Sequence, residues 1–202
     1  MARRAHAPAP EPALTTALGG SRHRLRWAVC AAALPFAGCA VVTLVSPLGH
    51  VATAELRDAD NRVVGQATLT EVGGGVRIVL EASGLRSAPK GVHLHAVGKC
   101  EPPGFASAGE HFNPQRKPHG LLNPSGPHAG DLPNITIGAD GKGRLETFTE
   151  RVTLGPGPTS LFDEDGTALI IHASPDDFRT DPAGNSGPRI ACGIVEKPPP
   201  KP

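Results

Sequence analysis

The sequence predicts an all-β domain, an eight-stranded Greek-key β-sandwich or barrel with two long loops, and three observations carry that prediction. Gly occurs 25 times and Pro 22 times in 202 residues, whereas Met and Trp occur once each and Tyr is absent. Such a composition belongs to many turns rather than to long helices. From residue 51 onward, apolar and polar residues alternate in short runs, the period of strands that bury one face. Between the runs stand turn clusters, Asp58-Ala59-Asp60-Asn61 and Gly73-Gly74-Gly75, rich in the residues that tolerate tight or left-handed backbone.

Taken in order, residues 1–26 are rich in Ala, Pro and Arg and lack apolar periodicity. They cannot bury enough surface to offset ordering, so a disordered basic leader is expected. Arg22, Arg24 and Arg26 then precede an apolar run from Trp27 to Leu48, interrupted only by Pro35, Gly38, Thr43, Ser46 and Pro47. A charged stretch followed by an apolar one reads as an export signal, here with its linker over residues 27–50. Phe36-Ala37-Gly38-Cys39 resembles a bacterial lipobox, in which the Cys is lipidated; it departs from that pattern at Phe36, where an aliphatic residue is usual. The run is also near the length that spans a bilayer. Lipidation at Cys39, retention as a membrane anchor and ordinary cleavage therefore stay open. Arg3-Arg4 is not read as a twin-arginine signal, because no apolar run follows it directly.

The domain is expected over residues 51–195. Val51–Arg57, Val63–Val72 and Val76–Ala82 read as an antiparallel meander, and Gly91–Val97 as a fourth strand. Ile135–Ile137 and Arg144–Val152 flank the turn Ala139-Asp140-Gly141-Lys142, and Ala168–Ala173 and Ile190–Val195 close the domain. Residues 196–202 form a Pro-rich tail without core-forming content. The loops Gly98–Asn134 and Ser174–Arg189 exceed the roughly 15 residues above which structureless loops become uncommon in compact domains. Each needs a reason to be ordered.

The formal charge of +1 hides an asymmetry. Between Val51 and Val195 there are 13 Lys and Arg against 17 Asp and Glu, a net of −4, so the excess of positive charge collects at the N-terminus. No basic stripe is interleaved with aromatics, which make up only 3% of the chain, so a nucleic-acid partner is excluded. Of the four Cys, Cys30 and Cys39 lie in the leader, leaving Cys100 and Cys192 in the domain. A lone pair in an exported domain is most simply one disulfide. It would close a loop of about 90 residues, worth about 4–5 kcal/mol in the chain-entropy treatment. Two buried thiols, or Cys100 as a metal ligand, are the alternatives.

Function is concentrated between Gly91 and Asp131, which holds His93, His95, His111, His119 and His128, five of the nine histidines. His93 and His95 are two apart, so a strand carrying them aims both imidazoles to one side. His111, His119, His128 and Asp131 follow at intervals of eight, nine and three residues in a segment full of Gly, Pro and Asn. A lone loop His is usually only solvated, and a His-x-His pair alone is usually incidental. Together with His172 these residues make seven candidate ligands, enough for two metals. Imidazole suits both copper and zinc; copper(II) favours a tetragonal set of nitrogens, and zinc a tetrahedron that accepts an Asp oxygen. Three His and an Asp gathered in one loop therefore look like zinc, and strand His from distant parts of the chain look like copper.

The segments GVHLHAVGKC, SAGEHFNP, KPHG, GPHAGDLPN, ALIIHASPDD and GNSGPRIACGIV together resemble the copper/zinc superoxide dismutases of the exported bacterial type, over about Val51 to Val195. The resemblance implies a β-sandwich, that family being itself a standard example of the architecture. It implies dismutation of superoxide to oxygen and hydrogen peroxide, with one copper and one zinc per subunit and copper cycling between two oxidation states. By the same resemblance His93, His95, His111 and His172 bind copper and His111, His119, His128 and Asp131 bind zinc. His111 bridges the metals as an imidazolate and takes part in proton transfer. Arg189 matches the guanidinium that attracts and orients superoxide. Asp176, in preference to its neighbour Asp177, matches the carboxylate that links a copper His to a zinc His.

Because the domain is net negative and the substrate is an anion, a local positive funnel is expected, a device for which this enzyme class is itself a standard example. Lys90, Lys99, Arg116, Lys117 and Arg179 are its candidates. Pro188 departs from the family, which usually has a small flexible residue there, and it restricts the backbone of Gly187. The export leader and the expected disulfide point to the periplasm or cell envelope, with membrane attachment through the N-terminal segment and a homodimer both compatible with the sequence. The alternative is a non-enzymatic copper-binding or copper-delivery module on the same fold. That reading expects lost ligands or an added Cys-containing copper-transfer domain, and the sequence carries neither.

Overall fold

The structure, a computed structural model, describes residues 49–198. The leader, the apolar run with Cys39 and the last residues of the Pro-rich tail lie outside the described residues. Within them the chain forms nine strands: β1 (Val51–Asp58), β2 (Val63–Val72), β3 (Gly75–Ala82), β4 (Ala88–Lys90), β5 (Val92–His95), β6 (Ile135–Ile137), β7 (Gly143–Thr149), β8 (Ala168–His172) and β9 (Arg189–Ile194). One 3₁₀ turn, Ala106–Ala108, stands in the first long loop.

The alternation read in the sequence is the alternation of burial. On β3, Val76, Ile78, Leu80 and Ala82 are buried while Arg77 and Glu81 are exposed, and β2 does the same with Ala67 and Leu69 against Gln66 and Thr68. Seven strands form one curled antiparallel sheet in the order β5-β8-β9-β1-β2-β3-β7, and β4 pairs with β6 separately. Strand β3 therefore takes β7 as its neighbour, and the chain between them crosses to the other side, as a Greek key requires. Leu56, Leu69, Ile78, Leu80, Leu94, Leu132, Ile135 and Leu169 fill the interior at no more than 1% exposure. Each such side chain contributes about 1.5–3 kcal/mol by leaving water.

The ninth strand, Ala88–Lys90, is one more than expected. Pro89 reads as a breaker because it cannot donate to a ladder, but β4 pairs only with β6, where Pro89 faces Thr136 at a sheet edge that tolerates the missing N–H. Strands β5 and β8 are buried along their whole length. Their inner side meets the barrel core, and their outer side is covered by the long loops. The expected disulfide joins Cys100 in the first loop to Cys192 on β9, with Cα atoms 5.6 Å apart. Beside it Phe105 and Ala108 pack on Ala168, Ile170 and Cys192 in a small second cluster that fastens the loop to β8 and β9.

Candidate metal centre

Short backbone contacts bring the loop histidines to the strand histidines. Leu94 N–H donates to the Gly130 carbonyl at 2.9 Å, Phe112 N–H to the Leu94 carbonyl at 2.8 Å, and Gly130 N–H to the Phe112 carbonyl at 2.9 Å. The loop is thus laid along β5 from two sides, which sets Asp131 opposite His93 and His111 opposite His95. Gly130 is required by this approach, since a Cβ there would stand 2.3 Å from the Leu94 oxygen. His172 arrives at the end of β8, and Arg189 opens β9 beside it.

Four imidazoles, those of His93, His95, His111 and His172, form one cluster in which one ring nitrogen from each lies within 4.8 Å of the others. All four residues are at most 6% exposed. In each ring one nitrogen is engaged by an acceptor: His93 Nε2 by Asp176 Oδ2 at 2.8 Å, His95 Nδ1 by the Gly109 carbonyl at 2.9 Å, His111 Nδ1 by Asp131 Oδ1 at 3.0 Å and His172 Nδ1 by the Gly187 carbonyl at 3.0 Å. The other nitrogen of each, His93 Nδ1 and Nε2 of His95, His111 and His172, is buried without any hydrogen-bond partner. Buried polar atoms are costly when left alone, and four lone pairs turned to one place are what a cation needs. Burial holds these rings neutral, lowering His93 to about 3, His95 to about 2 and His172 to about 4, and it lowers His111 as well. An all-imidazole set of this kind fits copper.

The second pocket has a carboxylate at its centre. Nδ1 of His111, His119 and His128 lie 3.0, 3.0 and 3.3 Å from Asp131 Oδ1, and His128 Nδ1 lies 3.2 Å from His111 Nδ1. Ligands about 2.0–2.1 Å from a tetrahedral zinc stand about 3.3 Å from one another, so these spacings fit zinc. Grouping by distance alone also brings His93 in with His111, His119 and Asp131. Its Nε2 is held by Asp176 and its Nδ1 is one of the four unpartnered nitrogens, which leaves His128 as the better fourth donor. The outer oxygen of Asp131 accepts from Gly120 N–H at 2.8 Å and His128 N–H at 3.0 Å. Burial works against its charge, but hydrogen bonds from the three histidines outweigh that and hold the carboxyl far below its ordinary range. His119 shows the converse: burial opposes protonation, yet Asp131 and Asp176 together lift it to about 9.

Asp176 joins the two pockets, with Oδ2 2.8 Å from His93 Nε2 and Oδ1 3.0 Å from His119 Nε2. Its backbone is clasped by Asn134, which accepts from Asp176 N–H and donates to its carbonyl, both at 2.9 Å. Gly184 (φ +59°) crosses directly over it; a Cβ there would stand 1.7 Å from Asp176 Oδ1. Asp177 is exposed and instead caps a turn, accepting from the N–H groups of Arg179 and Thr180 and from the Thr180 hydroxyl.

Arg189 donates to the carbonyls of Phe105 at 2.7 Å and Gly109 at 2.6 Å. It lines a surface cleft of about 360 Å³ with Gly104, Ala106, Gly109, Glu110, Gly187 and Pro188. Pro188 leaves the local frame intact: its carbonyl accepts from Ala173 N–H at 2.8 Å, and the Gly187 carbonyl holds His172. Of the funnel candidates, Lys99, Arg116, Lys117 and Arg179 are exposed, and Arg116 and Lys117 line a second cleft beside His111 and His128. Lys90 does not belong with them. It is 3% exposed with its ammonium on the Ala173 carbonyl at 3.2 Å, so it fastens β4 to the end of β8 rather than facing solvent.

Three supporting residues escaped the sequence reading. Asp181 Oδ1 accepts from His119 N–H at 2.6 Å, Arg151 donates to the Asp131 carbonyl at 2.6 Å, and Asn134 clasps Asp176. Asn134 closes the GPHAGDLPN segment and could have been suspected there. Arg151 follows a polar run and carries no such signal.

A profile described as copper/zinc superoxide dismutase matches residues 63–195. The chain is 49% identical over 161 residues to superoxide dismutase [Cu-Zn] 1 of Aquifex aeolicus, covering 78% of this chain and 95% of that protein. It is 40% identical over 148 residues to superoxide dismutase [Cu-Zn] of Caulobacter vibrioides, covering 72% and 85%. The crystal structure of a SOD-like protein from Bacillus subtilis superposes with a TM-score of 0.68 at 42% identity, over 70% of this chain and 96% of that one. Two adjoining pockets whose donors fit copper and zinc, on this fold and with relatives this near, lead to one conclusion: the chain belongs to the copper/zinc superoxide dismutases, oxidoreductases that act on superoxide.

Proposed function

We propose that the four-histidine pocket takes copper, that the pocket of His111, His119, His128 and Asp131 takes zinc, and that the enzyme works outside the cytoplasm. The four unpartnered buried nitrogens carry the copper assignment. His111 serves both pockets, offering Nε2 to one and Nδ1 to the other. His93, His95, His111 and His172 would hold copper, which would supply the one-electron redox chemistry by which two superoxides and two protons become oxygen and hydrogen peroxide.

The chain's own residues bring the anion in and manage the proton. A guanidinium has five N–H donors; Arg189 uses two of its nitrogens on carbonyls of the first loop, and its remaining donors can meet an anion in the cleft. His111 Nε2 is the atom placed to carry a proton to the departing oxygen. Asp176 keeps His93 and His119 in the tautomers that turn their other nitrogens toward metal. The export-type leader and the disulfide both support action in the cell envelope, since disulfides persist where the surroundings are oxidising.

Pulse radiolysis of superoxide decay on the copper- and zinc-loaded chain tests the reaction. A second-order rate per copper near the ceiling of about 10⁸–10⁹ M⁻¹s⁻¹ is expected, a limit for which superoxide dismutase is a known example. His95→Ala should abolish that rate while circular dichroism shows an intact fold. A loaded wild-type protein with no rate above background would instead favour copper storage or delivery. Activity found only in the cytoplasmic fraction of cells would overturn the placement.

A further inference from the structure

Glu110 is the residue that the dismutase reading leaves without a task. It directly precedes His111, is exposed, and has no salt-bridge partner among the described residues. It stands on the ridge between two clefts and lines both. On one side are Arg189, Gly187 and Pro188, and on the other Arg116, Lys117, His111 and His128. Its charge reaches the Arg189 guanidinium, where it favours the protonated form against the burial that disfavours it. Among the residues lining the cleft of Arg189, Glu110 is the one carboxylate. A carboxylate beside the cation that receives an anionic substrate is a local conflict, and it lowers the capture of superoxide.

We infer that Glu110 is a specificity-determining residue that selects by charge, admitting a monovalent anion to Arg189 and turning away divalent ones such as phosphate. Coulomb repulsion is proportional to the charge of the incoming anion. Whatever factor Glu110 costs superoxide in capture, it costs a dianion the square of that factor. At solvent-like dielectric and a separation of several ångströms the monovalent factor is about two to three, so the divalent factor is about four to nine. Arg189 alone would prefer the dianion, because a guanidinium binds phosphate well. Glu110 reverses part of that preference at the cleft while leaving Arg116 and Lys117 to draw anions from further away. The inference deepens the dismutase reading and rests on Arg189 receiving the substrate.

The test compares Glu110→Gln with wild type and with Glu81→Gln, which removes an equal charge from the outward side of β3, away from both clefts. Superoxide decay is followed by pulse radiolysis at low and high ionic strength. Phosphate binding is followed on the alkaline side of neutrality, where phosphate is mostly divalent, through the Arg189 Nε–H resonance of the copper(I), zinc enzyme, which is diamagnetic. Glu110→Gln should raise the superoxide rate about two- to threefold at low salt, and the gain should shrink at high salt. It should tighten phosphate about four- to ninefold, while Glu81→Gln changes each by much less. Equal factors for the two anions, no change in either, or matching effects from Glu81→Gln would each overturn the proposal. The resonance measurement needs no turnover. An inactive but metal-loaded enzyme would count against the dismutase reading, and the same resonance titrated with chloride in place of superoxide would still supply the monovalent arm of the comparison.

Discussion

The four-histidine pocket takes three of its donors from strands, His93 and His95 from β5 and His172 from β8, whereas every donor around Asp131 comes from the first long loop. The four-histidine pocket has no carboxylate among its donors, and its rings are kept neutral first by burial and then by the charge of neighbouring histidines and, for His95 and His172, of Arg189. The loop pocket is organised by one, with Asp131 holding three imidazoles and two backbone N–H groups. Strand alternation places side chains without further help. A loop has no such period, so its geometry must be fixed by buried charge, by Gly130 against β5, and by Arg151 on the Asp131 carbonyl. One pocket is thus a product of the sheet and the other an organiser of its own loop.

The strongest way to break that contrast is Asp131→Ala. If the carboxylate organises the loop, zinc affinity should fall by more than the about 10–100-fold typical of losing a supporting partner. Proteolysis within residues 98–134 should also quicken in the zinc-free variant. Chelator competition and a timed digest read the two effects, and unchanged zinc affinity would remove Asp131 from the ligand set.

Asp176→Asn should cost less, about 10–100-fold in zinc affinity, because it supports His119 and His93 without being a donor. Asp177→Asn, whose carboxylate accepts from Arg179, Thr180 and Asn185 and touches no histidine, should leave metal affinity unchanged. Equal losses from the two substitutions would mean that the turn, not the bridge, matters.

A subtler contrast appears with pH in the metal-free protein. His93, His95 and His172 have folded values near 3, 2 and 4, below their ordinary 6.5. The unfolded chain therefore binds protons first as pH falls, and stability is lost from about pH 6.5 downward, at up to about 1.4 kcal/mol per pH unit for each ring. His119 is raised to about 9, so its contribution is complete below 6.5 and lost as pH rises through 9. Denaturant melts should give a stability maximum near neutrality with a steeper acid limb. Zinc should erase the alkaline limb, because a zinc-bound His119 is already deprotonated across that range.

The same contrast explains how much was legible in advance. The strands and the His-x-His pair follow from a period of two, and the seven candidate ligands from residue type, whereas their division between two metals came from the family resemblance. β4 was hidden because a Pro in a short run suppresses the strand signal, although an edge position accepts it. Lys90 was misplaced because sequence gives charge but not exposure. Arg151 and Asp181 stayed invisible because each acts through a backbone group brought near by the loop fold, a contact that leaves no mark on spacing.

His111 and Asp176 are each shared between the two pockets. Metal loading is therefore a thermodynamically coupled pair of events. Zinc that orders His111 and, through Asp176, His93 would raise the affinity for copper by that ordering, and reciprocity requires whatever factor results to act equally on zinc when copper binds first. A chain that meets either ion first is left more receptive to the other. Where both ions are scarce, this cooperativity would favour fully loaded molecules over half-filled ones.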